Sequence, residues 1–449
     1  MRLFGTDGIR GEINRHPMTP ENVVKIGMAA ATVLRKEHHG RNMVLIGKDT
    51  RLSGYMIESA LTAGICSMGM DVTLVGPIPT PGIAHLTRTL RIDAGIVISA
   101  SHNPFQDNGI KFFSYDGFKL PDATEQRIED LVADEHLARY RLKGEKIGKA
   151  FRLDDATGRY IEYIKSTLPK GLSFEGMKIV VDCSNGAAYK TTPWVLRELG
   201  AEVIALCDKP DGVNINLNCG TLHMENIQKA VLRNKADLGI AHDGDADRVL
   251  LCDERGKIVD GDQIMGICAA DMHAQGKLRG ETLVSTVMSN IGLEKFLEQR
   301  GIRLIRTSVG DRYVVEKMLT GDYNLGGEQS GHIIFLDLNT TGDGPITAMQ
   351  VLSVMKNKGK KLSRLASNIK LYPQILMNIT VEKRLDIRTI PQIDQAIRTV
   401  EENLGNSGRV LVRASGTEPI IRVMLEGKDL KTITKLGGDI SKVIRETMK

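Results

Sequence analysis

Three times along the chain a short, continuously apolar run empties into a polar loop, and a second apolar run follows at once. Ala94-Gly95-Ile96-Val97-Ile98 enters Ser99–Pro104 ahead of Ile110–Phe113; Leu238–Ala241 enters an acidic stretch ahead of Val249–Cys252; Asn324–Gly327 enters Glu328–His332 ahead of Ile333–Leu336. Runs without polar alternation predict strands buried on both faces. Each is preceded by a strand–helix–strand–helix pattern. Met43–Gly47, a helix closed by Gly69 and Asp71–Val75 form the first; Lys178–Val181, a helix closed by Gly200 and Glu202–Leu206 the second; Thr282–Val284, a helix closed by Gly301 and Arg303–Ile305 the third. Glycines just past a periodic stretch are helix stops. Thr19-Pro20 predicts an N-cap and first-turn Pro, opening a helix to about Glu37. Beyond residue 368 the pattern changes to a strand over Tyr372–Val381, a helix over 391–404 and a strand pair at 409–414 and 420–426. The expected fold class is α/β: three similar βαβ-rich, mixed-sheet domains (1–150, 151–254, 255–368) and a smaller α+β domain (369–449).

The three polar loops occupy the same slot, at the carboxyl end of a core strand, where open α/β sheets bind ligands. The first presents Ser101, with His102 and Lys111 in reach, and Asn108-Gly109 predicts a hairpin turn behind it. The second, Asp243-Gly244-Asp245-Ala246-Asp247-Arg248, converges three carboxylates around a turn. At an effective dielectric of about 20 each like-charged pair about 4 Å apart costs on the order of 4 kcal/mol, which a divalent cation offsets. Oxygen-only ligands favour Mg²⁺ or Ca²⁺ over Zn²⁺. An EF-hand spacing fails at Arg248, where the calcium loop needs Gly, and its flanks read as strands. An aspartyl-phosphatase loop with Asp243 as nucleophile leaves the Ser101 loop unexplained, and a solvated acidic turn is the plainest alternative. The third loop places Glu328 and Ser330 on one side of an extended segment, suited to vicinal sugar hydroxyls.

Two further loops carry arginines. FGTDGIRG (4–11) delivers Arg10, and Arg413-Ala414-Ser415-Gly416-Thr417-Glu418-Pro419 offers backbone N–H groups for an anion nest, with Arg422 on the return strand; an ordinary hairpin is the competing reading. Composition narrows the partners. A net charge of +5 from 60 basic and 55 acidic residues, without a Lys/Arg block interleaved with aromatics, points away from nucleic acid. Six cysteines without CxxC spacing read as small core residues in a reducing compartment. Without an apolar leader or a membrane-length run, the expected location is the cytoplasm, with no membrane partner.

In FGTDGIRG, ISASHNPFQDNGIKFF, DGDADR, GGEQSGH and RASGTEP followed by IRVMLEG, the chain resembles the α-D-phosphohexomutase superfamily over its full length and in order. The Gln of GGEQSGH resembles the glucosamine branch; relatives acting on glucose or mannose phosphates more often carry Met there. The resemblance implies four domains around a central cleft, each contributing one loop. It implies a phosphoserine at Ser101 and Mg²⁺ held by Asp243, Asp245, Asp247 and the seryl phosphate. Glu328 and Ser330 would bind sugar hydroxyls; Arg413, Ser415, Gly416, Thr417 and Arg422 would bind the distal phosphate. Arg10, Lys111, Arg248 and His332 would line the reacting centre, with acid–base work shared among Lys111, His332 and His102. The implied activity interconverts glucosamine 6-phosphate and glucosamine 1-phosphate through a 1,6-bisphosphate, supplying UDP-N-acetylglucosamine and cell-wall synthesis. Glucosamine or glucose 1,6-bisphosphate would serve as activator, and a homodimer is the assembly left open. Glucose or mannose phosphates as substrates, a metal-dependent sugar phosphatase and a Ca²⁺-binding module are the alternatives.

Overall fold

The computed structural model describes residues 3–5, 7–35, 41–381, 390–414 and 420–448. Its first sheet contains β1 (Phe4–Gly5), β2 (Gly8–Glu12), β3 (Met43–Lys48), β4 (Asp71–Pro77), β5 (Ala94–Ile98), β6 (Asp107–Ser114) and β7 (Ala150–Arg152), in the order β1-β2-β6-β5-β3-β4-β7. The second holds β8 (Lys178–Asp182), β9 (Glu202–Leu206), β10 (Leu238–His242), β11 (Val249–Asp253) and β12 (Ile258–Val259), ordered β12-β11-β10-β8-β9. The third holds β13 (Thr282–Thr286), β14 (Arg303–Thr307), β15 (Leu325–Gly327) and β16 (Ile333–Phe335), ordered β14-β13-β15-β16. The common motif is now explicit. In each of these sheets one core strand, β5, β10 or β15, is followed by a strand antiparallel to it, β6, β11 or β16, and the first two sheets continue antiparallel through β2 and β1 and through β12.

Those three strands are buried at every residue, which is why they lack polar alternation. The helix Pro20–Leu34 starts as expected, with Thr19 accepting from the Asn22 N–H; it ends at Leu34, and residues 36–40, including the expected end at Glu37, lie outside the described residues. Asn108 and Gly109 form no hairpin turn. They sit inside β6, opposite Gly11 and Arg10 of β2. The Asn108 carboxamide turns inward to Ser53 Oγ at 2.9 Å, and that bond, the β2 partners and the Ser99 N–H donating to the Gly109 carbonyl at 3.0 Å outweigh the local turn preference.

By compactness the chain divides into two units, Met1–Val287 with Leu304–Ser367, and Met288–Arg303 with Asn368–Lys449. The second unit contains an antiparallel sheet of β17 (Gln374–Thr380), β18 (Gly408–Ala414) and β19 (Ile420–Gly427), ordered β17-β19-β18. The helices Pro391–Leu404 and Leu430–Thr447 cover it, burying Ile393, Ile397, Ile433 and Ile440 against Ile379, Val423 and Leu425. Segment 288–303 joins this unit through polar bonds: Asn290 Nδ2 donates to the Tyr372 carbonyl at 2.9 Å, and the fully buried Glu426 accepts from the Ile291 N–H at 3.3 Å.

Candidate active site

Beyond Ile98 the chain leaves the first sheet with its polar groups already assigned. Ser99 Oγ donates to Asp49 Oδ2 (2.6 Å) and accepts from the Ser101 N–H (2.9 Å). Arg51, wholly buried, lies under the loop: its Nε donates to Asp49 (2.9 Å), and Nη2 to the carbonyls of Ser101 (2.9 Å) and Asn103 (2.8 Å). Nη1 serves the Pro104 carbonyl and that of Asp107. One guanidinium thus takes up three carbonyls of a tight loop and that of Asp107 at the start of β6. Ser101 itself has a left-handed φ of +52° and is 1% exposed. Strain of that kind persists only where surrounding contacts over-determine it.

The acidic loop meets it. Ser101 Oγ donates to Asp243 Oδ2 at 2.7 Å, and a Cβ on Gly244 would lie 2.5 Å from the Ser101 carbonyl, so that position admits no side chain. Asp245 Oδ2 accepts from Lys111 Nζ (2.8 Å) and Thr80 Oγ1 (2.7 Å), while Asp247 Oδ2 lies 3.5 Å from Lys111 and 3.6 Å from His332 Nδ1. One carboxylate oxygen from each of the three aspartates falls within 4.8 Å of the others. Burial and the neighbouring Asp247 and Asp245 charges push Asp243 well above the usual carboxylate range. Asp245 Oδ1 and Asp247 Oδ1 are buried with no hydrogen-bond partner among the described residues. Buried, orphaned carboxylate oxygens beside like charges are what a hard divalent cation would satisfy, so the donor set fits Mg²⁺.

Cations frame the cluster. Burial opposes the charge on Lys111, but Asp245, Asp7 and Asp247 outweigh it and hold the group firmly as an ammonium. Arg248 Nη1 donates to His102 Nδ1 at 3.0 Å, and that nitrogen stands 3.3 Å from Ser101 Oγ. Burial, then Arg248 and Arg10, lower the His102 pKa, leaving a neutral ring whose Nδ1 lone pair is already engaged. His332 differs: burial opposes its charge, yet Asp247, Asp311 and Glu328 raise its pKa. The Gly342 N–H meets His332 Nε2 at 3.1 Å, which puts the proton of the neutral ring on Nδ1, facing Asp247. Arg10 pairs with Asp7, and Arg10 Nε and Arg248 Nε are buried without a hydrogen-bond partner among the described residues.

The third loop docks on the second. Gly331, at φ +93°, lets its carbonyl accept from the Val249 N–H at 3.1 Å; a Cβ there would meet the Val249 carbonyl at 2.2 Å. Glu328–Gly331 is a closed turn, with the Gly331 N–H donating to the Glu328 carbonyl at 3.0 Å, and not the extended segment its pattern suggests. Gly331 forces that turn, and it leaves Ser330 exposed and Glu328 Oε1 accepting from the Gly310 N–H at 3.2 Å. In the second unit Arg413 and Arg422 are direct cross-strand partners on β18 and β19. Burial and then the Arg422 charge lower the Arg413 pKa, as expected of like charges opposed across a strand pair. Ser415, Gly416 and Thr417 lie outside the described residues.

Several contributors escape sequence reasoning. Arg51 and Asp49 sit in KDTRLSG, a stretch that reads only as a turn into a helix. Asp7, Lys119 and Asp311 form a chain of ion pairs, Lys119 Nζ reaching Asp7 Oδ1 at 2.5 Å and Asp311 Oδ2 at 2.6 Å. Asn216 Nδ2 donates to the carbonyls of Ser101 (2.9 Å) and Asn103 (3.0 Å). The one usable signal was Asp7, within the Gly-rich FGTDGIRG loop.

Comparison with known proteins adds four family matches. Phosphoglucomutase/phosphomannomutase domains I, II and III, each alpha/beta/alpha, match residues 1–139, 158–256 and 260–372, and the C-terminal domain matches 376–443. A phosphoglucosamine mutase of Syntrophotalea carbinolica is 58% identical over 443 residues, covering 99% of this chain and 97% of the relative. One from Myxococcus xanthus is 57% identical over 428 residues, covering 95% and 93%. A phosphoglucomutase/phosphomannomutase family protein from Burkholderia thailandensis shares the fold with a TM-score of 0.83 at 23% identity, covering 99% of this chain and 97% of that one. An Aspergillus fumigatus N-acetylphosphoglucosamine mutase, solved with GlcNAc-6P and magnesium, superposes with a TM-score of 0.67 at 17% identity, covering 100% and 96%. No described helix is long and apolar enough to cross a membrane.

Proposed function

The chain belongs to the phosphoglucomutase/phosphomannomutase family, and from that membership we propose how its residues carry the reaction named by its relatives: it interconverts glucosamine 6-phosphate and glucosamine 1-phosphate. The observation that supports the residue assignment most is the Ser101 hydroxyl, 2.7 Å from a buried carboxylate cluster whose outer oxygens are unsatisfied.

Ser101 carries the phosphoryl group. Its P–Oγ bond breaks as a bond forms to the free sugar hydroxyl, giving the 1,6-bisphosphate. After the sugar reorients, the other phosphate's bond to the sugar breaks and its phosphoryl group returns to Ser101 Oγ. Such transfers ask the protein mainly for positioning and charge neutralisation. Lys111, held as an ammonium, and the Nε–H groups of Arg10 and Arg248, which have no hydrogen-bond partner among the described residues, meet the phosphoryl oxygens. His332 holds the proton exchanged with the sugar hydroxyl at Nδ1, its pKa raised by Asp247, Asp311 and Glu328 against the effect of burial; His102 orients the Ser101 side. Mg²⁺, held by Asp243, Asp245, Asp247 and a seryl phosphate oxygen, would supply neutralisation of charge on the transferred group. Glu328, with one oxygen free of the Gly310 bond, reads a sugar hydroxyl, and Ser330 assists. Arg413, Ser415, Gly416, Thr417 and Arg422 bind a substrate phosphate, and glucosamine or glucose 1,6-bisphosphate primes Ser101.

A coupled assay over glucosamine, glucose and mannose 6-phosphates, with bisphosphate present, tests the substrate assignment. Glucosamine 6-phosphate should give the highest kcat/KM. A glucose or mannose preference would move the enzyme to another branch, and inorganic phosphate without an isomer would make it a phosphatase.

Arg422→Ala should weaken apparent affinity for glucosamine 6-phosphate by about one to two decades, since a charge-assisted bond contributes roughly 1.5–3 kcal/mol. Turnover should also depend more steeply on added bisphosphate, while Ser101 still accepts phosphate. Rate curves against bisphosphate that superimpose on wild type would remove Arg422 from the substrate's grip.

A further inference from the structure

The second sheet carries another convergent set of ligands. Asp182 ends β8, Cys207 follows β9, and Cys219 precedes the turn Gly220–Leu222; one carboxylate oxygen and the two sulfurs lie within 4.8 Å of one another. We propose that Asp182, Cys207 and Cys219 form a second metal site on this protein, selective for Zn²⁺.

Two sulfurs and a carboxylate are a soft, mixed set, unsuited to Mg²⁺ or Ca²⁺ and matched to zinc. Tetrahedral zinc with bonds of about 2.3 Å to sulfur needs ligand atoms about 3.8 Å apart, which ligand atoms lying within 4.8 Å of one another accommodate. The carboxylate is already oriented: Asp182 Oδ1 accepts from the Ser184 N–H (2.9 Å) and Oδ2 from the Gly220 N–H (3.0 Å), each keeping a lone pair for a metal. Asp182 and Cys219 are buried and Cys207 is half-buried, so the open side lies at Cys207, where an ion enters and water completes the shell.

The site closes a loop with consequences elsewhere. Cys207 and Cys219 are the two feet of segment 207–219, and Asn216 between them holds the Ser101 and Asn103 carbonyls at 2.9 and 3.0 Å. The same segment accepts the Leu52 N–H at the Gly212 carbonyl, 2.8 Å away. Zinc at the base therefore clamps a support of the Ser101 loop without touching the oxygen-only triplet at Asp243, Asp245 and Asp247.

Cobalt(II) reports the ligands directly, because thiolate ligation adds a sulfur-to-cobalt charge-transfer band that oxygen sites lack. The full-length protein, reduced and freed of metal by chelation, is titrated with Co²⁺ and then with Zn²⁺. The expected result is a thiolate band saturating at one ion per chain, displaced by Zn²⁺, retained in Asp245→Asn and lost in Cys207→Ser. Cys207 is half-exposed, so its serine variant is the one least disturbing to the core; circular dichroism of both variants checks that they fold. No thiolate band in wild type would overturn the site. So would a band that persists in Cys207→Ser, or a Cys207–Cys219 disulfide that survives reduction and excludes the ion.

Discussion

Ser101→Ala is expected to lower mutase turnover by on the order of 10⁶-fold, the scale seen when a covalent nucleophile is removed. Alanine offers no oxygen to carry the phosphoryl group, and the deeply buried site offers no neighbouring hydroxyl in the same place: Ser99 Oγ is committed to Asp49 and the Ser101 N–H. The fold should tolerate the change. Alanine bears the same left-handed backbone cost as serine at φ +52°, and the loop remains tied through the Ser101 carbonyl to Arg51 and Asn216. The lost bond to Asp243 falls on a carboxyl that burial and its neighbours already push toward the protonated form. The thermal midpoint should therefore stay within a few degrees, at about 1 kcal/mol or less of stability. Peptide mass spectrometry should find phosphate on Ser101 in active wild-type protein. An alanine variant within tenfold of wild type would remove Ser101 from the chemistry.

Asp245→Asn should cost about three decades in turnover. The substitution removes one of three carboxylate charges, and at an effective dielectric of about 20 a single charge pair near 4 Å is worth on the order of 4 kcal/mol, or roughly 10³ in rate. It also turns an amide toward Lys111 Nζ, which Asp245 Oδ2 now accepts at 2.8 Å, so excess Mg²⁺ should rescue only part of the loss. Chelation of the wild type should abolish turnover, and Mg²⁺ should restore it. Full activity in excess chelator, with no metal by elemental analysis, would show that the orphaned oxygens of Asp245 and Asp247 serve another purpose.

What could be read from the chain and what could not divides along a physical line. Ile96 and Ile240 announce buried strands because burial on both faces is written in consecutive apolar residues. The repeat of that signal placed Ser101, Asp243 and Glu328 in equivalent slots of three sheets. Arg51 carries no local mark, since its four carbonyl partners lie on residues fifty or more positions away. Asn108-Gly109 misled because a turn preference worth little by itself yields to two ladder partners. Glu328–Gly331 misled for the reverse reason: side-chain alternation was read where Gly331 closes a turn against Val249. Nor does cysteine spacing show that Cys207 and Cys219 converge on Asp182, because the second sheet brings them there.

The central claim is that Ser101 hands its own phosphate to the sugar and takes the sugar's in exchange. Protein carrying isotopically labelled phosphate on Ser101, mixed in a single turnover with unlabelled glucosamine 6-phosphate, tests it directly. The account predicts labelled glucosamine 1-phosphate, unlabelled phosphoserine at Ser101 and no labelled inorganic phosphate. Label retained on Ser101 while product forms, or label released as inorganic phosphate, would contradict it.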